Sequence, residues 1–188
     1  MAIPGTYRAS VLAVACAGFA ATATGGDDGH HHHQKAHVHG EAKLQVAIEG
    51  RTVELILESP AANLLGFEHK PKNAEQEAVL AEAREWLTAN PLVQTANNDC
   101  TVTAGSTHQE QDPEDGDSHD HDQEKKRSHS DFEVTQRIQC GSELTDPLTT
   151  PLMTRFPGIE QLSVDWLGSG SQGHTELHAG EHEIHLDH

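Results

Sequence analysis

Aromatic side chains are scarce in this sequence: they make up 4% of its 188 residues. With so few large rings the core must be modest, and the length leaves room for one domain or two small ones. Basic residues are scarce too, with 12 Lys and Arg against 30 Asp and Glu and a formal net charge of −18. That field excludes nucleic acid or an anionic membrane surface as a partner held by bulk electrostatics, and it favours a cation. Two methionines and three cysteines are few soft ligands for copper(I). The HExxH pair, the GxSxG elbow, the phosphate-binding glycine loop and the paired-cysteine zinc ribbon are all missing. Nor does His37-Val38-His39-Gly40 continue into the aspartate-histidine pair of metal-dependent hydrolases. A catalytic metal site needs three fixed ligands, an open position and a nearby base, so the expectation is a protein that is not an enzyme.

Long apolar runs are also missing. The stretch from Ala9 to Ala21 is too short, and too rich in Ala and Gly, to read as a membrane span. With Arg8 before it and Ala21-Thr22-Ala23 after it, residues 1–23 read as a secretory signal peptide. The alternative is a lipoprotein signal, because Leu12-Ala13-Val14-Ala15-Cys16 loosely resembles a lipobox with its Leu one place too early. Cleavage after Ala23 removes Cys16 and leaves Cys100 and Cys140, which in an oxidising compartment are expected to form a disulfide. Two independent buried thiols are the other reading.

What the chain has in abundance is histidine, 16 residues of it, nearly all in three clusters interleaved with carboxylates. His30, His31, His32, His33, His37 and His39 form the first; His108, His119, His121 and His129 the second; His174, His178, His182, His185 and His188 the third. His69 stands apart. Neutral imidazole is the commonest ligand for zinc, copper and nickel, so this pattern points to transition-metal binding, with Zn2+ first and Cu2+ or Ni2+ as competitors.

Periodicity and composition divide the chain. Residues 24–36 read as a disordered His-rich tail and 105–128 as a solvated acidic His-rich loop, since neither has an apolar period. Between them, residues 37–104 read as a first unit: an alternating hairpin over Ala42–Leu57, a helix over Asn73–Ala89 with Asn73 as cap, and a short strand at Cys100–Thr103. Residues 129–188 read as a second unit, with a strand before Cys140, a short helix over Leu148–Phe156, a strand at Leu162–Trp166 and a closing hairpin. The expected class is therefore α+β, two small similar sheet-plus-helix units joined by the disordered loop.

Candidate ligands follow from these elements. On the closing hairpin, His174, Glu176 and His178 share one strand face, and the next strand would bring Glu183, His185 and Asp187 beside them. His37 and His39 sit at the entry to the first strand, on a more rigid base than the tail. His129 and Asp131 share a face by their spacing. His108, His119 and His121 belong to the loop, where each binding event must order chain and exchange is fast. His69 follows Glu68 in a loop, where a lone histidine is more often solvated or structural.

Several runs also resemble one family. His37-Val-His-Gly-Glu-Ala-Lys-Leu44, Leu57-Glu-Ser-Pro-Ala-Ala-Asn-Leu-Leu-Gly-Phe-Glu-His69, Asp131-Phe132 before Cys140, and Phe156-Pro157 look like the ZrgA-type periplasmic zinc-binding proteins. The resemblance implies an exported Gram-negative protein of two similar small α/β domains with a His-rich region, associated with zinc uptake. It strengthens His37, His39 and His69 as ligands; the closing hairpin has no counterpart in it. The expected role is a periplasmic zinc-binding protein that captures or buffers Zn2+ and hands it to a zinc-uptake transporter component, with a metal-bridged dimer open to it. The alternatives are copper or nickel buffering for resistance, and an envelope structural or interaction module with incidental metal binding. Induction by zinc starvation, by excess metal or by neither separates the three.

Overall fold

The computed structural model describes residues 38–111, 130–168 and 170–186. Strands β1 (Glu41–Glu49) and β2 (Thr52–Pro60) form the expected hairpin, pairing Leu44 with Leu57 and Val46 with Leu55. Their alternation buries Ala42, Leu44, Val46, Val53, Leu55 and Leu57 and exposes Lys43, Glu54 and Ile56. Pro60 ends β2 and leads into the short helix α1 (Ala61–Leu65), which Gly66 closes in the left-handed conformation at φ 80°. Helix α2 (Ala74–Ala89) follows, capped by Asn73, whose side chain accepts from the Gln76 amide. Then come β3 (Cys100–Gln111), β4 (Ser130–Cys140), β5 (Leu148–Thr149), α3 (Leu152–Arg155), β6 (Gln161–Gly168), β7 (Ser171–His178) and β8 (Glu183–Ile184).

Six strands make one sheet in the order β3-β4-β2-β1-β6-β7, antiparallel except for the β1–β6 pair. The architecture is mainly sheet with a few helices, α+β in class. One face carries a single core cluster, to which both halves of the chain contribute: Leu44, Leu57, Phe132, Val134, Leu162, Val164 and Trp166 from the strands, with Leu87, Leu152, Ile184 and Leu186 laid against them. The other face is open, with charged side chains around exposed apolar ones such as Ile56 and Leu167. It carries a concavity of about 1060 Å³ lined by Lys43, Glu54, Arg137, Asp165 and His174 together with Ile56 and Leu167.

Three expectations need correcting. The units expected at 37–104 and 129–188 do not stand apart, because β4 lies between β3 and β2, and β6 pairs with β1. Strand pairing across the halves joins the apolar rows of three strands from each into one core on one face of a six-stranded sheet. Strand β3 runs to Gln111, well into the stretch expected to be loop, because polar residues suffice on a strand edge whose backbone β4 satisfies. The hairpin expected between His174–His178 and His182–Leu186 does not form: β7 pairs with β6 through the tight turn at Gly170, and β8 pairs with β5. Residues 1–37, 112–129, 169 and 187–188, which include the signal, the tail and most of the loop, lie outside the described residues. Among the described residues, no helix is long and apolar enough to cross a membrane.

Candidate metal centre

The strand directions decide where the histidines meet. Strands β1, β4 and β6 begin, and β2, β3 and β7 end, at one pole of the sheet. Val38, Gln111 and Ser130, which flank the His-rich segments in the sequence, therefore stand at the same pole, and so do His39, Asp131 and His178. The disulfide between Cys100 and Cys140 joins directly opposed residues at the other pole, as expected from the sequence.

At the histidine pole a buried amide holds two loops together. Asn63, on α1, is 5% exposed; its Oδ1 accepts from the Gly40 amide, and its Nδ2 donates to the Glu41 carbonyl and to Ser59 Oγ. This clamp is why the run from Ser59 to His69 has its particular residues. Asn63 ties the entry of β1 to α1, Gly66 reverses the chain, and Glu68 is thereby brought against His39. Gly158 must lack a side chain for the same reason: a Cβ there would lie 2.5 Å from the Asn63 carbonyl oxygen.

The result is a His39–Glu68 pair, with Nε2 and Oε1 2.5 Å apart. A carboxylate can only accept, so the imidazole N–H donates. Glu68 is mostly covered, with its side chain 16% exposed, while His39 faces solvent. Next to it His69 is half-buried and stacked on Phe67 at 5.3 Å between ring centres. Its Nδ1–H donates to the Lys70 carbonyl at 2.8 Å, which leaves Nε2 with the lone pair that a metal takes. Glu68 was not among the ligands expected from the sequence; the Phe67-Glu68-His69 run carried the only sign of it.

The other candidates are spread over the sheet. His108 lies on β3, exposed and opposite Glu133, rather than in a loop. Asp131, half-buried on β4, stands opposite Glu110 and Pro60. On β7, at the far edge from His108, the exposed His174 donates through Nδ1 to Asp165 Oδ1 at 2.8 Å, and Lys43 Nζ lies 3.1 Å from Asp165 Oδ2. The imidazole hydrogen bond first, and then the ammonium, hold the Asp165 carboxyl below the usual carboxylate range. Glu176 accepts from Gln161 Nε2, and the backbone N–H of His178 donates to Glu181 Oε2 at 2.8 Å. His185 sits 3.5 Å from Asp146 and 3.9 Å from Glu183, so it joins those carboxylates and not the His174 row expected beside it. His37, His119, His121 and His129 lie outside the described residues. Among the described residues no three His, Cys, Asp or Glu side chains already converge as a metal-holding group.

None of the curated proteins compared matches this sequence. The profile of the ZrgA family of zinc uptake proteins, however, matches residues 36–186, a span that includes the Asn63 clamp, the His39–Glu68 pair and the disulfide. The chain therefore belongs to the ZrgA family of zinc uptake proteins.

Proposed function

We propose that this chain is an exported, periplasmic protein that captures and buffers Zn2+ without catalysing a reaction, and passes the ion to a component of the zinc-uptake system. The observation that carries the reading is the His39–Glu68 pair beside His69, held by a buried amide at the pole where the His-rich segments join the sheet. Zinc takes imidazole nitrogen and carboxylate oxygen at about 2.0–2.2 Å each, so two tetrahedral ligands stand about 3.3 Å apart. The 2.5 Å pair has to open by only about 0.8 Å while its shared proton leaves. Nε2 of His69 supplies a further donor of the right tautomer, and His37 is the donor that the sequence places next to His39. The histidines of 24–36 and 112–129 would collect the ion weakly and deliver it to this more rigid set.

Zinc competition titration of the mature chain, Thr24 to His188, tests this reading. Loss of the tightest site in His39→Ala and in Glu68→Gln, with the histidines of residues 24–36 and 112–129 intact, is the expected result. If both variants keep wild-type affinity and only removal of the His-rich segments abolishes binding, the folded pole is not the binding device. Imidazole ligands must be deprotonated, so affinity at pH 5.5 should also fall well below that at pH 7.5.

A further inference from the structure

The β7 edge carries imidazoles that the pole does not use. His174, Glu176 and His178 occupy alternate positions of the sheet's terminal strand, all three exposed on its open face. His174 is already oriented as a ligand. Its Nδ1–H is spent on Asp165, which Lys43 fixes in turn, so on this exposed ring Nε2 is the nitrogen that keeps the lone pair. A carboxylate behind a histidine in this way is what fixes the tautomer and ring of metal-ligating imidazoles. Yet the described residues of one chain supply no converging set of three.

We propose that zinc completes such a set by joining two copies of this chain, edge to edge, through β7. This rests on the zinc-binding reading above and adds a second, lower-affinity class of site to it. An antiparallel pairing about a two-fold axis at Glu176 places His174 opposite the partner's His178, and His178 opposite the partner's His174. Directly opposed side chains on neighbouring strands have Cβ atoms about 4.5–5.5 Å apart, within reach of one zinc for two imidazoles. Each zinc then takes two histidines from different copies and a Glu176 carboxylate, with water in the fourth position. The outer faces of both sheets stay on the same side, and the open edge of β7 is covered. At this edge Glu181 engages both backbone groups of His178, its Oε2 accepting from the amide at 2.8 Å and its backbone N–H donating to the carbonyl at 2.9 Å, and the side-chain contact has to give way to the incoming strand.

The same geometry makes the dimer conditional. Without metal, the register sets Glu176 against the partner's Glu176, and two chains of formal charge −18 repel. Zinc reverses the local sign. The protein would then be a monomer when zinc is scarce and a dimer when it is plentiful.

Sedimentation equilibrium of the full mature chain across a zinc titration, alongside binding stoichiometry, tests the proposal. Wild type should pass from monomer to dimer after the tight site has filled. His174→Ala and His178→Ala should stay monomeric at the same zinc concentrations while keeping the tight site. Asp165→Asn, which removes the carboxylate behind His174 and no ligand, should raise the zinc concentration for half-dimerisation by about tenfold. A wild-type chain that stays monomeric through saturation, or a zinc dimer that survives both histidine substitutions, overturns the proposal. Failure of the zinc-binding reading itself is distinct from either result, since it removes the tight site from the binding isotherm whatever the mass.

Discussion

Among the described residues, His39 is held by Glu68, His69 by the Lys70 carbonyl and His174 by Asp165, each through one ring nitrogen. The bond that fixes the ring also decides which nitrogen is left for a metal, so these partners matter as much as the histidines. Asp165 gives a direct test. Its folded pKa is depressed, so it contributes stability above the ordinary carboxylate value of 3.8, which is lost as pH falls through the lower folded value. In His174→Ala the leading cause is gone and the Asp165 pKa should rise toward 3.8, as carboxyl NMR shifts across an acid titration would report. No rise would mean that Lys43 alone holds the carboxylate. Asn63 is the other residue on which much turns. Asn63→Ala leaves the buried Gly40 amide and the part-buried Glu41 carbonyl without their partner, at a cost of about 1–3 kcal/mol. Because that clamp carries Glu68 over His39, zinc affinity should weaken in the same variant even though no ligand has changed; calorimetric unfolding and metal competition measure the two effects.

Among the elements, Gln136 is the least expected contributor. It is 4% exposed on the buried face of β4, where the alternation calls for an apolar side chain. Its Nε2 donates to the carbonyls of Leu87 and Asn90, and its Oε1 accepts from the Leu92 amide, so it closes the end of α2 that no glycine closes. Replacing it with Leu restores the apolar alternation but strands three backbone groups, and should destabilise the fold by about 2–4 kcal/mol in denaturant titration. A neutral or stabilised variant would mean that water reaches that helix end. Sequence patterning could reveal the hairpin β1–β2, the cap at Asn73 and the Cys100–Cys140 pair, because each is a local or compositional signal. It could not reveal that β4 enters between β3 and β2, or that β7 turns back on β6, since strand partners are chosen by burial over long separations. The candidate site divides in the same way. His37, His39 and His69 stood out by residue type and family resemblance, whereas Glu68, Asp165 and Asn63 became visible only when the fold brought them to their partners.

At the scale of the whole molecule, one pole of the sheet carries the His39–Glu68 pair and the opposite pole is closed by the disulfide. The division has a thermodynamic consequence. A cation that binds the folded pole, and has no equal site in the unfolded chain, stabilises the fold by RT ln(1 + [Zn]/Kd), about 2.7 kcal/mol at a hundredfold excess over Kd. For a domain of this size that corresponds to a rise in Tm of about 5–10 °C. The unfolded chain keeps all 16 histidines, though, and so competes for zinc. A rise well short of that range in wild type would therefore report binding by the unfolded His-rich segments, and deleting residues 24–36 should enlarge it. At zinc concentrations that fill the tight site but not the weaker β7 sites, Glu68→Gln should abolish the rise while leaving the Tm without metal nearly unchanged. Scanning calorimetry with and without zinc on these three chains decides the matter. Were the rise in Tm the same in Glu68→Gln as in wild type, the metal would be acting elsewhere on the fold, and the pole formed by His39, Glu68 and His69 would lose its claim to be the zinc site.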